Sequence, residues 1–145
     1  VLMIGLCSSL AVTTSFTNSK KAPHLEYSFV VNENATFDFD FYLNPSNPAY
    51  KDNKFEFEIC VNGKYQTVQV VSENFAVGDN QEPWSTDVTN SIRICKATLP
   101  CFAGMNKLKV YPLSPNLVLQ KIVIHKSGQK LLSSYLGAPE TFRIV

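Results

Sequence analysis

The tightest constraint on the fold is the run at residues 117–124, LVLQKIVI, where Val118, Ile122 and Ile124 share one parity and Leu117, Leu119 and Val123 the other. A half-exposed strand alternates apolar and polar, whereas a strand apolar on both faces belongs between two layers. This is the pattern of a central strand in a sandwich. A second apolar run, residues 108–113, precedes it across a Ser-Pro-Asn corner that neither a helix nor an extended strand would carry through, so the two make a β-hairpin or a β-arch. After Gly128 the periodicity is lost, and Gly137 and Pro139 mark a turn with Tyr135 and Leu136 against the core.

Upstream, a period of two dominates. Residues 25–31 place Leu25, Tyr27, Phe29 and Val31 on one face, and residues 36–43 place Phe37, Phe39, Phe41 and Leu43 inward with Asp38, Asp40 and Tyr42 outward. With Asn32, Glu33 and Asn34 between them, these runs predict a hairpin. Residues 55–61 and 65–71 flank Asn62-Gly63, the pair that supplies both positive-φ positions of a type I′ turn. Further strands are expected at residues 1–4, 10–16 and 91–96, with a Pro- and Gly-punctuated loop at 99–105 and longer loops at 44–53 and 72–83. No window carries helical periodicity. The expectation is an all-β fold, a single antiparallel β-sandwich over residues 1–145 of jelly-roll type.

Composition excludes several classes of function. Thirteen Lys and Arg stand against twelve Asp and Glu, a formal charge of +1, so there is no basic signature for nucleic acid. No segment approaches the ~18 uninterrupted apolar residues of a membrane helix. The opening VLMIGLCSSLAV lacks a basic leader region and reads as part of a sandwich cut from a longer protein. Cys7, Cys60, Cys95 and Cys101 fit no metal motif, and no cofactor is called for. Cys60 and Cys95 read as buried free thiols, with a Cys95–Cys101 bridge as the sharper alternative.

Catalytic constellations are equally sparse. His24 and His125 are the only histidines, and His125, at the end of an apolar strand, reads as an ordinary strand-end residue and not a base. The carboxylate pairs Asp38/Asp40 and Glu56/Glu58 sit on outward strand faces, where solubility is their simplest role. Glycoside hydrolysis needs two carboxyl groups across a sugar, one with a raised pKa, and nothing in the sequence desolvates one. No catalytic residue is therefore assigned. Exposed aromatic faces stack on sugar rings, which makes Trp84, Tyr50 and Tyr65 the candidate carbohydrate-binding residues, although a tryptophan in such folds more often anchors a loop.

The stretch GMNKLKVYPLSPNLVLQKIVIHKSG, followed by SYLGAPE, resembles the C-terminal end of glycoside hydrolase family 115, whose members are xylan α-1,2-glucuronidases. Gly104, Leu108, Lys109, Val110, Pro115, residues 118–124, Gly128, residues 134–137, Pro139 and Glu140 match the family pattern, and Trp84, Val88 and Asn90 follow its order. Asn106 stands where the family has His, Ser114 where it has Asp, and Ala138 where it has Pro. The resemblance implies a carbohydrate-binding-module-like β-sandwich that serves as a non-catalytic C-terminal domain, with the catalytic acids in an upstream barrel. It implies support of glucuronoxylan degradation through domain or subunit contacts, a homodimer among them, or through weak glycan binding, in a secreted, periplasmic or cell-surface protein. An independent carbohydrate-binding module and a purely structural or protein-interaction sandwich are the competing readings.

Overall fold

The computed structural model describes residues 2–5, 22–46, 55–71 and 88–131, the first of these as backbone only. Eight strands run in order: β1 (Leu2–Gly5), β2 (Leu25–Val31), β3 (Ala35–Leu43), β4 (Glu56–Val61), β5 (Lys64–Gln69), β6 (Arg93–Cys101), β7 (Gly104–Pro112) and β8 (Leu119–Lys126). They form two four-stranded sheets, β1-β8-β3-β6 and β2-β7-β4-β5, in which every pair is antiparallel. Here the first is called the β3 sheet and the second the β4 sheet. A helical turn at residues 88–90 is the only helix among the described residues.

The inward parities meet as the sequence requires. Phe37, Phe39, Phe41, Phe57, Val70, Leu108, Val110, Leu119, Ile122 and Ile124 are all buried in one cluster between the sheets. Phe29 meets Phe39 edge-on across the gap at 6.0 Å between ring centroids, and Phe41 meets Phe57 at 5.0 Å. Both are the tilted contacts that aromatic quadrupoles favour.

Several expectations need correction. The alternating runs of β2 and β3 are not a hairpin but an arch, because β2 pairs with β7 and β3 with β6 and β8. Alternation looks the same in either arrangement, and the link at 32–34 lacks the glycine of a primed turn, so it crosses between layers instead of folding one strand onto the other. The corner at 114–116 likewise joins β7 of one sheet to β8 of the other, with Asn116 at φ 68°. The one true hairpin of these is β4–β5, where Asn62 and Gly63 have φ of 49° and 85°. The loop expected at 99–105 is two strand ends with a short link, and Pro100 is tolerated in β6 because that strand is a sheet edge. Cys95 and Cys101 form no bridge: both are buried on β6 as reduced thiols. Six residues of extended chain separate their Cα atoms by roughly 20 Å, far beyond disulfide reach.

The outer face of the β3 sheet is wet along β6, where Ile94, Lys96 and Thr98 are exposed. Along β3 and β8, Asp40 and Tyr42 are buried with Val123 and His125, because Ile92 and Leu131 pack across Tyr42 and Val123. The expected strand at 10–16, Cys7, and the Tyr135–Leu136 turn lie outside the described residues.

Two of the departures from the family pattern have visible jobs. Ser114 accepts a hydrogen bond from the Glu56 backbone N–H at 3.0 Å, joining the 114–116 corner to the start of β4. Asn106, fully buried, donates to the carbonyls of Phe102 (2.7 Å) and Gly104 (3.0 Å) and accepts from Phe102 N–H (3.1 Å) and Asn62 Nδ2 (2.6 Å). All of an amide's donors and acceptors are thereby used.

Candidate functional site on the outer face of the β4 sheet

Side chains of the outward parity stand in rows across this sheet. The strand order β2-β7-β4-β5 and the registers Glu58↔Tyr111 and Glu58↔Thr67 put Tyr111, Glu58 and Thr67 in one row, with His24 just ahead of β2 beside it. The next row is Glu26, Lys109, Cys60 and Tyr65.

These rows build a partly aromatic surface. The His24 ring lies 5.0 Å from that of Tyr111 and the Tyr65 ring 6.3 Å on its other side, with interplanar angles of 36° and 34°. Tyr111 is buried with Ala22, Cys60 and Leu113, while Tyr65 keeps 56% of its surface open. Tyr111 is thus a fixed base and Tyr65 the accessible ring. The charge and hydrogen bond of Cys60, and then the charge of Tyr111, raise the Tyr65 pKa above that of an ordinary phenol. The hydroxyl therefore stays protonated at neutral pH, able both to donate and to accept.

Polar groups frame the rings. Glu58 Oε1 is enclosed and has no hydrogen-bond partner, an acceptor whose capacity is unused beside Tyr111. Glu26 bridges two cations, Lys107 at 2.9 Å and Lys109 at 3.4 Å. The hydrogen bond and charge of Lys107, joined by Lys109, hold the Glu26 carboxyl below its usual range. A surface with an aromatic face, a neutral phenol and ammonium groups can stack on a ring and hydrogen-bond its hydroxyls.

Of the residues singled out from the sequence, only Tyr65 belongs to this surface; Trp84 and Tyr50 lie outside the described residues. His24, Glu58 and Tyr111 were not anticipated. Parity marks Glu58 and Tyr111 as outward, but only the strand order makes them neighbours.

A second polar group lies on the outer face of the β3 sheet. His125 Nε2 is 3.2 Å from Asp40 Oδ2, both side chains are buried, and Asp40 Oδ1 has no partner. Ser127 Oγ donates to Asp38 at 2.7 Å, so the serine is committed to a different carboxylate from the one that meets the histidine. His125 is thus a buried, paired residue, not a simple strand end, and the arrangement is not a serine–histidine–aspartate relay. Among the described residues, no three His, Cys, Asp or Glu side chains are grouped to hold a metal ion.

Solved structures identify the architecture first. Xyl-CBM35 in complex with a glucuronic acid containing disaccharide superposes with a TM-score of 0.52 at 8% identity, covering 90% of this chain and 100% of that one. A family 35 carbohydrate-binding module from an environmental isolate gives 0.51 at 14% identity, over 86% and 89%. The fold is that of a carbohydrate-binding-module β-sandwich. The family follows from the sequence: the model of the glycosyl hydrolase family 115 C-terminal domain matches residues 5–140, and the chain belongs to that family. The family GH115 4-O-methyl-α-glucuronidase BtGH115A, with specificity for decorated arabinogalactans, superposes with a TM-score of 0.61 at 18% identity. That match covers 74% of this chain and 14% of the enzyme, so the chain spans about one seventh of its length. No curated protein is similar enough to count as a relative.

Proposed function

We propose that this chain is a non-catalytic accessory domain of a family 115 α-glucuronidase acting outside the cell, and that it holds a glucuronic acid-bearing polysaccharide such as glucuronoxylan on the outer face of its β4 sheet. The observation that carries the reading is the open ring of Tyr65 set beside the fixed ring of Tyr111. Family membership and the glucuronic acid containing disaccharide bound by Xyl-CBM35 support an acidic glycan as the ligand. Catalytic acids belong to a domain ahead of this one in the parent enzyme, and the domain itself releases no glucuronic acid.

Binding is weak, because a shallow sheet surface with one open ring buries little area; a Kd on the order of a millimolar is expected. The test is calorimetric titration of the 145-residue chain with aldouronic acids, neutral xylo-oligosaccharides and glucuronic acid-bearing arabinogalactan oligosaccharides. Tyr65→Ala should abolish the heat of binding with the thermal midpoint retained. Loss with Trp84→Ala or Tyr50→Ala and not with Tyr65→Ala would move the site to the loop segments. Turnover of an aldouronic acid by the chain alone would overturn the accessory reading.

A further inference from the structure

The end of the sandwich opposite the Tyr111 row carries an apolar surface that nothing in the glycan reading uses. Val30 and Met105 are direct cross-strand partners on β2 and β7, and their side chains are 59% and 69% exposed. Phe102, in the link between β6 and β7 at the same end, is 55% exposed. Single exposed apolar residues are ordinary, but three gathered at one end mark a contact surface.

This surface is held rigidly. Asn106 fixes both backbone groups of Phe102, Asn34 Oδ1 accepts from Ala103 N–H at 2.7 Å, and Asn62 ties the β4–β5 turn to Lys107 N–H at 3.0 Å and to Asn106. Asn106 and Asn34 thus hold one short link, Asn62 braces Asn106, and the residue the link presents is an open phenylalanine. A fixed apolar surface loses little conformational entropy when it is covered. A groove of about 350 Å³ adjoins it, with Val30 on its wall, Val31, Phe37 and Ile124 on its apolar side and the Glu33–Lys126 ion pair at 2.9 Å among its lining residues.

The direction of the chain says what covers it. β1 pairs with β8 so that Leu2 lies opposite Ile124, itself a lining residue of the groove. Polypeptide leading into β1 therefore arrives at this end. The matched family is a C-terminal domain, and BtGH115A devotes most of its length to other parts, since this match covers 14% of it.

We infer that Val30, Phe102, Met105 and the adjoining groove form the docking face for the domain that precedes this one in the parent enzyme. The inference rests on the accessory-domain reading. It is independent of which surface binds glycan. The preceding domain would meet this face with an apolar surface, and the docking would set the β4 sheet at a fixed position relative to the catalytic centre.

The test is hydroxyl-radical footprinting of the full-length parent polypeptide, read at Met105 and Phe102 by mass spectrometry. Met105 should be oxidised at least about tenfold more slowly in the native protein than in the same protein unfolded by denaturant. Oxidation within about twofold of the unfolded rate would overturn the docking, because the residue would be open in the whole enzyme. Protection that disappears on dilution through a dimer-to-monomer transition would also overturn it, assigning the face to a second copy. A Val30→Asp/Met105→Lys variant of the full-length protein should expose Phe102 to radicals and separate the calorimetric unfolding of this domain from that of its neighbour. One unchanged transition with Phe102 still protected would contradict the inference. No glycan enters these measurements, so the docking and the glycan-binding face fail separately, and a parent mass equal to that of this chain would defeat the accessory reading itself.

Discussion

The two sheets have the same number of strands and the same inward chemistry, yet the outer face of the β3 sheet is covered along β3 and β8 while that of the β4 sheet is open along β2 and β5. On the β3 sheet, Asp40, Tyr42, Val123 and His125 are buried under chain that crosses at Ile92 and Leu131. On the β4 sheet, Glu26, Ser28, Val30, Tyr65, Thr67 and Lys107 stay open. An outward parity therefore does not decide exposure. On the covered face Asp40 meets His125 through Oδ2 and leaves Oδ1 without a partner, whereas the exposed polar groups of the open face meet water. That difference is why the glycan is proposed to bind at the Tyr65 and Tyr111 rows of the β4 sheet and not on the β3 sheet.

The largest effect should come from the layer both faces share. Phe39→Ala removes a fully buried ring beside Phe29 and should cost about 3 to 5 kcal/mol in denaturant unfolding, against under about 1 kcal/mol if the register of β3 were wrong. Next comes the covered face: Asp40→Ala strips the buried His125 of its partner and should cost roughly 1 to 3 kcal/mol. The comparison breaks if that loss is no greater than for Thr67→Ala on the open face, expected within about 0.5 kcal/mol of the wild type.

A smaller effect is the pH response of Asp38. Partial burial opposes its charge, but hydrogen bonds from Ser127 and Thr98, with the charges of His125 and Lys96, hold its pKa below the ordinary value. A depressed carboxylate contributes stability that is present above its unfolded pKa and lost as pH falls through the native one. Acid unfolding of Asp38→Asn should accordingly show a shallower loss of stability below about pH 4 than the wild type. An unchanged slope would place the acid sensitivity elsewhere. Smallest of all is thiol chemistry: burial pushes Cys101 up to about 11, so native protein should leave Cys60, Cys95 and Cys101 unalkylated at neutral pH, with all three reacting once unfolded. Rapid native labelling of Cys101 would mean that the core around β6 opens.

Much of the fold was legible because burial leaves a period in the sequence. The two-faced run of β8, the alternation of Phe37, Phe39 and Phe41, and the Asn62-Gly63 turn each follow from local chemistry, and the last 42 residues carry most of the family resemblance. Strand partnership was not legible. A hairpin and an arch impose the same alternation, so β2 was paired with β3 when it belongs beside β7. Coverage was not legible either, since the burial of Asp40 depends on segments distant in sequence that cross above it. The site suffered most from this: Tyr65 could be proposed as an exposed ring, but His24, Glu58 and Tyr111 come from three other segments and meet it only through the β2-β7-β4-β5 order. Asn106 stood out as a departure from the family pattern, and its role became visible only with Asn62 and Phe102 in place.

The central claim, that the open face of the β4 sheet is the working face, is tested most directly by calorimetric titration of Tyr65→Ala with an aldouronic acid, run beside wild type and with thermal unfolding of both. The account predicts a measurable, weak binding heat for the wild type, none for the variant, and thermal midpoints within a degree or two, because an exposed ring adds little to stability. Equal binding by the two proteins would contradict it.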